Sequence, residues 1–445
     1  MARLLRLVVT TAAVAVAGWW LFADTVRHYH APARDAYALR FAHFGTYQDY
    51  QVWQRVVEAF EQQHPTITVD QEYVVGMYGA YNTKIRQQMV AGTLPDAFLI
   101  QLGPFTHLAE QLADLTDLAH TTDGGLDLGQ LSATGLEAFT AGGKLRALPV
   151  SGGNLLIYCN PVCFERASAH LGRAVDLPED DWTVNEFRHL AELLTCDFDG
   201  DGLIDQFGFW QPRWIYYLPF LWSFGADLLN DTDSHWKFTG PRAEQALAFY
   251  QQMRVGQPVS PRPDQVAQMF QDTGFLTGMT AMCVNGPWFQ PFLADSQLAD
   301  RYHIAHVPTG PAGKATRVTW DGICMAQRLP EMRRANAWKF MRFVCSDRAQ
   351  RILAATQRAL PAYLPAADAF CEADAGRRSR KFIDALTYSR LQPITPFFRD
   401  MDRAINRHLG QLLREDQPIT PAACLQALAA DPRIASHFIV DGVSP

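Results

Sequence analysis

An alternation of strand and helix patterns over residues 39–100 limits the fold more than any other feature of this sequence. Short apolar runs predict three β-strands, one at 39–42, one opening at Ile67 and one at 97–100. Between them, apolar residues recur at helical spacing, which predicts two amphipathic helices. A βαβαβ order favours a mainly parallel sheet with helices on its faces. The apolar positions are Trp53, Val56, Val57 and Phe60 in the first helix and Tyr81, Ile85, Met89 and Val90 in the second.

The length of the chain predicts more than one hydrophobic core. It has 445 residues, and single cores rarely grow beyond about 250–300 residues. The net charge of -7 and the lack of a Lys/Arg-rich block argue against a nucleic-acid partner. With 11 Trp and 12% aromatic residues, the chain has more aromatic surface than its hydrophobic cores need, so some rings can contact a ligand. We therefore expect two lobes and a neutral or weakly polar ligand.

The N-terminal segment predicts export. Arg3 and Arg6 precede an uncharged, apolar run over residues 7–23, which is the pattern of a secretory signal. Cleavage at the end of this run would release the chain, whereas its two tryptophans extend it toward a membrane anchor. We assign residues 1–36 to a signal peptide or N-terminal membrane anchor with its leader. The rest of the chain is expected outside the cytoplasm, in the periplasm or at the cell surface.

Eight cysteines in an exported chain permit disulfides, but their spacing gives no compact framework. Cys159 and Cys163 are close enough in sequence to approach each other. Cys283, Cys324 and Cys345 lie in apolar segments and are expected to be buried thiols.

An acidic loop over residues 197–205 has the spacing of a calcium ligand set. Carboxylates stand at relative positions 1, 3, 5 and 9, with a glycine at position 6. Gly208 occupies position 12, where a bidentate Glu usually stands. The loop predicts a structural Ca²⁺, and no other cofactor is expected. Its candidate ligands are Asp197, Asp199, Asp201 and Asp205, with the backbone carbonyl of Leu203.

An ordered series of segments resembles the extracellular solute-binding proteins that feed sugar-uptake ATP-binding-cassette (ABC) transporters, the maltose-binding-protein-like class. The resemblance covers roughly residues 37 to 430. It implies a two-lobed α/β fold of the periplasmic-binding-protein type (type II-like), with a ligand cleft that closes between the lobes. The match at segment 181–187 can also be explained physically, because Thr183 and Glu186 can form a capping box at the start of a helix. The segments are 60–69, 91–96, 147–150, 155–164, 181–187, 222–226, 286–288, 307–311 and 337–343.

The resemblance also implies about three crossings between the lobes. We place them near Pro149, Gly322 and Pro365. Each lobe is expected to hold a mainly parallel sheet flanked by helices. The predicted N-terminal lobe is 37–149 plus 323–366, and the predicted C-terminal lobe is 150–322 plus 367–445.

Loops that combine aromatic rings with hydrogen-bonding groups are the candidate ligand contacts, since rings suit the C–H face of a sugar. The segments after the first and third strands belong at the carboxyl edge of the sheet, where open α/β folds place their clefts. The remaining candidates are implied by the resemblance. The full set is Thr46, Tyr47, Gln48, Tyr78, Gln101, Trp210, Trp214, Asn285, Trp288, Trp320 and Asp321.

The implied function is capture of a sugar or oligosaccharide by a monomer that delivers it to ABC permease subunits. A polyamine or a glycerol-phosphate ester is an alternative ligand. An exported glycoside hydrolase is a weaker alternative, because it needs a defined carboxyl pair that the sequence does not single out. No nucleophile elbow, zinc-protease motif or phosphate loop is present, so no catalytic residue is predicted.

Overall fold

The computed structural model of the protein describes residues 38–76, 79–121, 126–211, 213–230, 233–256, 258–262, 271–372, 378–414 and 416–440. The described strands are β1 (Leu39–Gly45), β2 (Val69–Val75), β3 (Ala97–Gln101), β4 (Thr140–Ala141), β5 (Lys144–Leu145), β6 (Leu148–Asn154), β7 (Leu156–Cys159), β8 (Phe207–Trp210), β9 (His235–Trp236), β10 (Thr280–Asn285), β11 (His303–Ala305), β12 (Thr316–Met325), β13 (Leu360–Pro361), β14 (Ser389–Leu391) and β15 (Ile439–Val440).

The described helices are α1 (Tyr47–Gln63), α2 (Gly79–Val90), α3 (Leu102–Leu108), α4 (Thr116–His120), α5 (Ala133–Ala138), α6 (Pro161–Leu171), α7 (Val184–Leu193), α8 (Trp214–Ser223), α9 (Gly240–Gln252), α10 (Gln271–Leu276), α11 (Gln290–Ala294), α12 (Glu331–Val344), α13 (Asp347–Ala354), α14 (Ala367–Glu372), α15 (Ser379–Asp384), α16 (Phe398–Leu412), α17 (Pro421–Ala429) and α18 (Pro432–Ala435). Short 3-10 helices lie at Ala109–Gln111, Leu128–Gln130, Pro287–Phe289, Leu364–Ala366 and Ala385–Tyr388.

The first lobe contains a seven-stranded sheet in the order β13-β6-β12-β3-β1-β2, with β14 beside β12. β1 pairs in parallel with both β2 and β3, which confirms the predicted βαβαβ unit. β12 runs antiparallel to β3 and to β6. The sheet is therefore mixed rather than mainly parallel, because a strand from late in the chain enters its centre in the opposite direction.

The second lobe has a four-stranded sheet in the order β11-β7-β10-β8. β10 is parallel to β8 and antiparallel to β7, and β11 is antiparallel to β7. This sheet is also mixed. Two lobes, each with its own sheet, match the predicted two-lobed α/β fold.

The first two helices follow the predicted pattern except at one position. All four apolar positions predicted for α1 are buried, as are Tyr81 and Ile85 in α2. Val90, in contrast, is 90% exposed. It is the last residue of α2, and the chain then turns away through Gly92, whose φ of 67° lies in the left-handed region.

The predicted capping box of α7 is confirmed. Thr183 is the N-cap, and its hydroxyl accepts the Glu186 backbone N–H, while the Glu186 carboxylate accepts the Thr183 backbone N–H. These two bonds satisfy backbone donors that a helix start otherwise leaves unpaired. Val184, Phe187 and Ala191 then face the core.

The change of lobe takes place at Leu155, between β6 and β7. Val150 belongs to the first-lobe core, whereas Leu155 and Ile157 belong to the core of the second. Leu156 and Tyr158 point to the opposite face of the second sheet, into a third cluster that also contains Phe370 and Phe382. The crossings placed near Pro149 and Gly322 fall inside strands of the first sheet, because β6 and β12 both continue past these residues.

The cysteines are thiols in this structure. All eight lie within the described residues, none is paired, and only Cys371 is not buried. Cys283, Cys324 and Cys345 are buried, as predicted. The export segment at 1–36 lies outside the described residues. Within the part of the chain that the structure describes, no helix is both long and apolar enough to cross a membrane.

Trp320 is part of the first-lobe core rather than the surface of a cleft. Its side chain is fully buried, and its Nε1 donates to Thr134 Oγ1 at 3.1 Å. Its ring lies against Gly152, where any Cβ would clash with it. Since alternate residues of a strand face opposite sides, Trp320 points away from the side that carries Asp321. This burial argues against direct ligand contact.

We expect Trp320→Ala to lower the free energy of unfolding by about 3–5 kcal/mol, the range for truncating a large buried ring. Urea unfolding would measure the change. Tyr47→Ala is the matched control, because Tyr47 is 66% exposed and its loss should change stability little. Equal stability of the two variants would contradict the core placement of Trp320.

Candidate functional site

One face of β12 is the surface around which the candidate residues gather. Arg317, Thr319 and Asp321 alternate along this strand and therefore project to the same side. We call these three residues the β12 site face. Thr319 pairs with Gly153 of β6, so Gly153 presents its bare backbone to that side.

Trp288 covers this bare backbone from the second lobe. It lies in the 3-10 helix that follows β10 and is half-buried. A Cβ on Gly153 would come within 2.8 Å of its ring, and a Cβ on Gly286 would clash with it. Two glycines thus allow the ring to lie close to the backbone at the junction of the lobes.

Tyr216 of α8 links Trp288 to the β12 site face. Its ring meets that of Trp288 nearly edge-on, at 6.4 Å between centroids. The Arg317 guanidinium lies over the other side, 5.3 Å from the Tyr216 centroid, and its Nη1 donates to Gln392 Oε1 at 2.8 Å. Burial raises the pKa of Tyr216, an effect that nearby Arg317 opposes. The phenol is therefore a neutral hydrogen-bonding group.

Asp321 and Gln101 meet at the other end of the β12 site face. They are register partners between β12 and β3, and Gln101 Nε2 lies 3.4 Å from Asp321 Oδ1. Burial raises the pKa of Asp321 to about 7, although Arg358 and the Gln101 hydrogen bond favour its charged form. Both predicted residues are thus brought together at the end of β3.

The segment after β1 is tied to the same region by an ion pair. Arg358 Nε lies 2.9 Å from Asp49 Oδ1. Thr46 is the N-cap of α1 and forms a capping box with Asp49, so its hydroxyl is already engaged in holding the helix start. Tyr47 and Gln48 are both exposed and take no part in this helix cap.

Asn285 orients a half-buried acid beside Trp288. Its Nδ2 donates to Asp272 Oδ1 at 2.8 Å, and its Oδ1 accepts the Gly286 N–H at 2.9 Å. Burial raises the pKa of Asp272, partly offset by the Asn285 hydrogen bond. With its amide engaged at both ends and almost fully buried, Asn285 holds the Asp272 carboxylate in place.

The remaining tryptophan candidates are less accessible. Trp214 is buried in the second-lobe core and its Nε1 donates to Asp402 Oδ1 at 2.7 Å. Trp210 is half-buried, and its ring packs against Gly274. Tyr78 lies outside the described residues.

The acidic loop brings together three of its four predicted carboxylates. One oxygen each from Asp197, Asp199 and Asp205 lies within 4.8 Å of the others. The carboxylates of this loop also accept backbone N–H groups, as at Gly202 and Leu203. Asp201 is not part of the converging group. Ca²⁺ takes six to eight oxygen ligands, so these three carboxylates alone are fewer than a calcium site needs.

Sequence analysis missed Tyr216, Arg317 and Arg358. Tyr216 is two positions from the chosen Trp214, which on a helix is about 200° round the axis, so the two rings face opposite sides of α8. Arg317 shares its strand face with Asp321, and the period of two along β12 could have indicated it. Nothing in the sequence signals Arg358, because its partner Asp49 is more than 300 residues away.

Two lobes with separate cores, joined beside a face that combines aromatic, amide and ionisable groups, define a two-lobed binding protein. The chain belongs to the bacterial extracellular solute-binding protein family, whose model matches residues 45–351. No curated protein sequence matches the chain significantly.

Solved structures share the fold at low sequence identity. The ABC substrate-binding protein Lmo0181 from Listeria monocytogenes, solved with cycloalternan, has a TM-score of 0.78 and 22% identity, covering 91% of this chain and 100% of that one. UgpB from Mycobacterium tuberculosis, with glycerophosphocholine, has a TM-score of 0.75 and 20% identity, covering 90% and 98%. Maltose-bound MalE3 from T. maritima has a TM-score of 0.71 and 18% identity, covering 89% and 99%.

Asp321→Asn should make stability less dependent on pH. Because the folded state raises the pKa of Asp321 to about 7, from about 3.9 when unfolded, the native state holds the extra proton. The stabilising contribution of this bound proton is complete below the pKa of Asp321 in the unfolded state, and it is lost as pH rises through about 7. Relative to wild type, the Asn variant should therefore gain stability between about pH 5 and about pH 8.

Urea unfolding of both proteins at the two pH values would measure this gain. Asp295→Asn, at an exposed position, controls for the loss of one negative charge. A stability difference for Asp321→Asn that is the same at both pH values would contradict the prediction.

Proposed function

We propose that this protein captures a sugar or oligosaccharide between its two lobes, outside the cytoplasm, and delivers it to the permease subunits of an ABC transporter. The observation that carries the proposal is the position of Trp288 and Tyr216. These rings come from the second lobe and stand over the β12 site face of the first. A ligand held there would touch both lobes at once, which is the requirement for closing a hinge around it.

The chemistry of this region suits a saccharide. The rings offer apolar surface for C–H groups, while Gln101, the Tyr216 hydroxyl and a protonated or charged Asp321 offer donors and acceptors. Exposed Tyr47 and Gln48 extend the polar rim. Proteins of the same fold bind cycloalternan and maltose, as their solved complexes state, which supports the same ligand class here.

Binding without chemical turnover is the proposed mode of action. The members of the family are solute-binding proteins, and two acids near the site are held in pairs: Asp49 with Arg358 and Asp272 with Asn285. The third, Asp321, accepts a hydrogen bond from Gln101. We propose that the protein works as a monomer with its permease. Export by the N-terminal segment, cleaved or kept as an anchor, is part of the same proposal.

A glycerol-phosphate ester is the second candidate, and one observation favours it. Arg317 is part of the β12 site face, Arg358 lies close enough to lower the pKa of Asp321 against the effect of burial, and guanidinium groups suit phosphate oxygens. UgpB, of the same fold, binds glycerophosphocholine. A polyamine is less favoured, because Asp49 is already paired with an arginine and Asp402 accepts the Trp214 N–H.

A thermal-shift screen of the exported chain against mono- and oligosaccharides, with glycerophosphocholine included, would test the proposal. A ligand at 100 times its Kd should add about 2.7 kcal/mol of stability. We expect Trp288→Ala to weaken saccharide binding by on the order of tenfold or more, since an anchoring ring contributes strongly to affinity. Calorimetric titration would measure the loss.

Phe292→Ala is the matched control, because this ring is exposed on α11 of the same lobe. Undiminished affinity in Trp288→Ala would contradict the placement of the site. Salt separates the two candidate ligands: saccharide affinity should be nearly constant as salt rises, whereas affinity for a phosphodiester should fall.

We further propose that the acidic loop holds a structural Ca²⁺. Adding Ca²⁺ should raise the melting temperature and chelation should lower it, while saccharide affinity stays the same, because the loop lies apart from the β12 site face. Asp197→Asn together with Asp205→Asn should abolish the response. Identical melting curves of the wild type with calcium and with chelator would exclude the site.

A further inference from the structure

A second cavity lies on the first lobe, formed by the end of α1, the last turns of α12 and the 3-10 helix at Leu128–Gln130. Its volume is about 370 Å³, within the range of small-molecule pockets. None of its lining residues belongs to the β12 site face, and Trp288 and Tyr216 are also outside it. It is therefore separate from the proposed sugar site.

Cationic groups converge on this cavity. Lys339 and Arg342 are three positions apart on α12, so they share one face of the helix, and both line the cavity with His64. Burial and the positive charges of Lys339 and Arg342 lower the pKa of His64. Among the described residues, no ion pair involves Lys339 or Arg342.

The acids of the cavity are engaged elsewhere. The Asp347 carboxylate accepts Arg351 Nε at 2.9 and 3.0 Å. The Asp127 carboxylate accepts the Gly129 N–H at 3.1 Å and Gln130 Nε2 at 2.8 Å. Neither acid forms an ion pair with Lys339 or Arg342 among the described residues, so the two cations can hold the head of an anionic ligand.

The wall beside these cations is apolar. Leu126 and Tyr363 line the cavity, are only half-buried and pack against the first-lobe core. A simple inorganic ion would leave this wall in contact with water. A ligand with a charged head and an apolar body would cover it and gain hydrophobic free energy.

We propose that this cavity binds a small organic anion. Lys339 and Arg342 hold its carboxylate, phosphate or sulfonate head, and its apolar body packs against Leu126 and Tyr363. This site is independent of the sugar cleft, so the anion-binding proposal and the sugar-binding proposal can each be disproved without affecting the other.

Titration with benzenesulfonate, followed by calorimetry, tests the proposal. Lys339→Ala combined with Arg342→Ala should weaken binding at least about tenfold. The matched control is Arg328→Ala combined with Arg334→Ala, which removes the same charge from exposed positions outside the cavity and should bind as wild type does. If the first double variant unfolds, Lys339→Ala alone, at an exposed position, should still weaken binding.

Sulfate tests the role of the apolar wall and should bind more weakly than benzenesulfonate. Neither ion titrates between about pH 5 and about pH 8, so pH acts only on the protein. His64 faces Lys339 and Arg342, with Asp127 and Asp347 on the same cavity. Protonation of His64 adds a third positive charge, so affinity should rise toward about pH 5, and His64→Gln should remove this rise.

Equal affinity in the two double variants, or no binding of benzenesulfonate to the wild type, would overturn the proposal. Sulfate binding as tight as benzenesulfonate would refute the contribution of the apolar wall, and with it the organic character of the ligand. Saccharide affinity, measured in the same samples, should be unchanged in every variant.

Discussion

The pairing of β6 with β12 determines where both the first core and the candidate site lie. The two strands are antiparallel at the centre of the first sheet, with Trp320 opposite Gly152 and Thr319 opposite Gly153. On one side, Gly152 leaves room for the buried Trp320 ring, and on the other Gly153 leaves room for Trp288. Two adjacent glycines thus allow one large ring on each side of the same strand pair, and a side chain at either would displace a ring.

Local patterns were enough to predict most of the fold. The βαβαβ unit, the buried face of α1 and the capping box at Thr183 all follow from residues that are near one another in sequence, so their physics is visible in the chain alone. The antiparallel entry of β12 and the crossing at Leu155 depend on contacts between distant segments. No local pattern distinguishes a strand that ends at Pro149 from one that continues to Asn154, which explains why the crossings predicted near Pro149 and Gly322 fall inside strands.

The candidate site was harder to predict because residue type does not reveal which way a side chain points. The segments chosen from the sequence include residues of the candidate site, but Trp214 and Trp320 face cores whereas Tyr216 and Asp321 face the other side. Thr46 illustrates a different limit of prediction from residue type, because a hydroxyl that follows a strand can either contact a ligand or cap a helix. Asp49 stands three positions after Thr46, the same spacing as Thr183 and Glu186, so the sequence could have indicated the cap.

The junction at Leu155 has a mechanical consequence. The Thr316 hydroxyl donates to the Leu155 carbonyl and accepts its N–H at 3.3 Å, and Asn154 Nδ2 anchors the preceding residue to the Phe382 carbonyl at 2.8 Å. The backbone is thus clamped immediately before and at the point where it changes sheets. The Trp288 ring lies close to this junction, because it packs against Gly153, two residues before Leu155. A rotation centred on Leu155 would therefore move this ring little, while the parts of each lobe far from the junction would move much further.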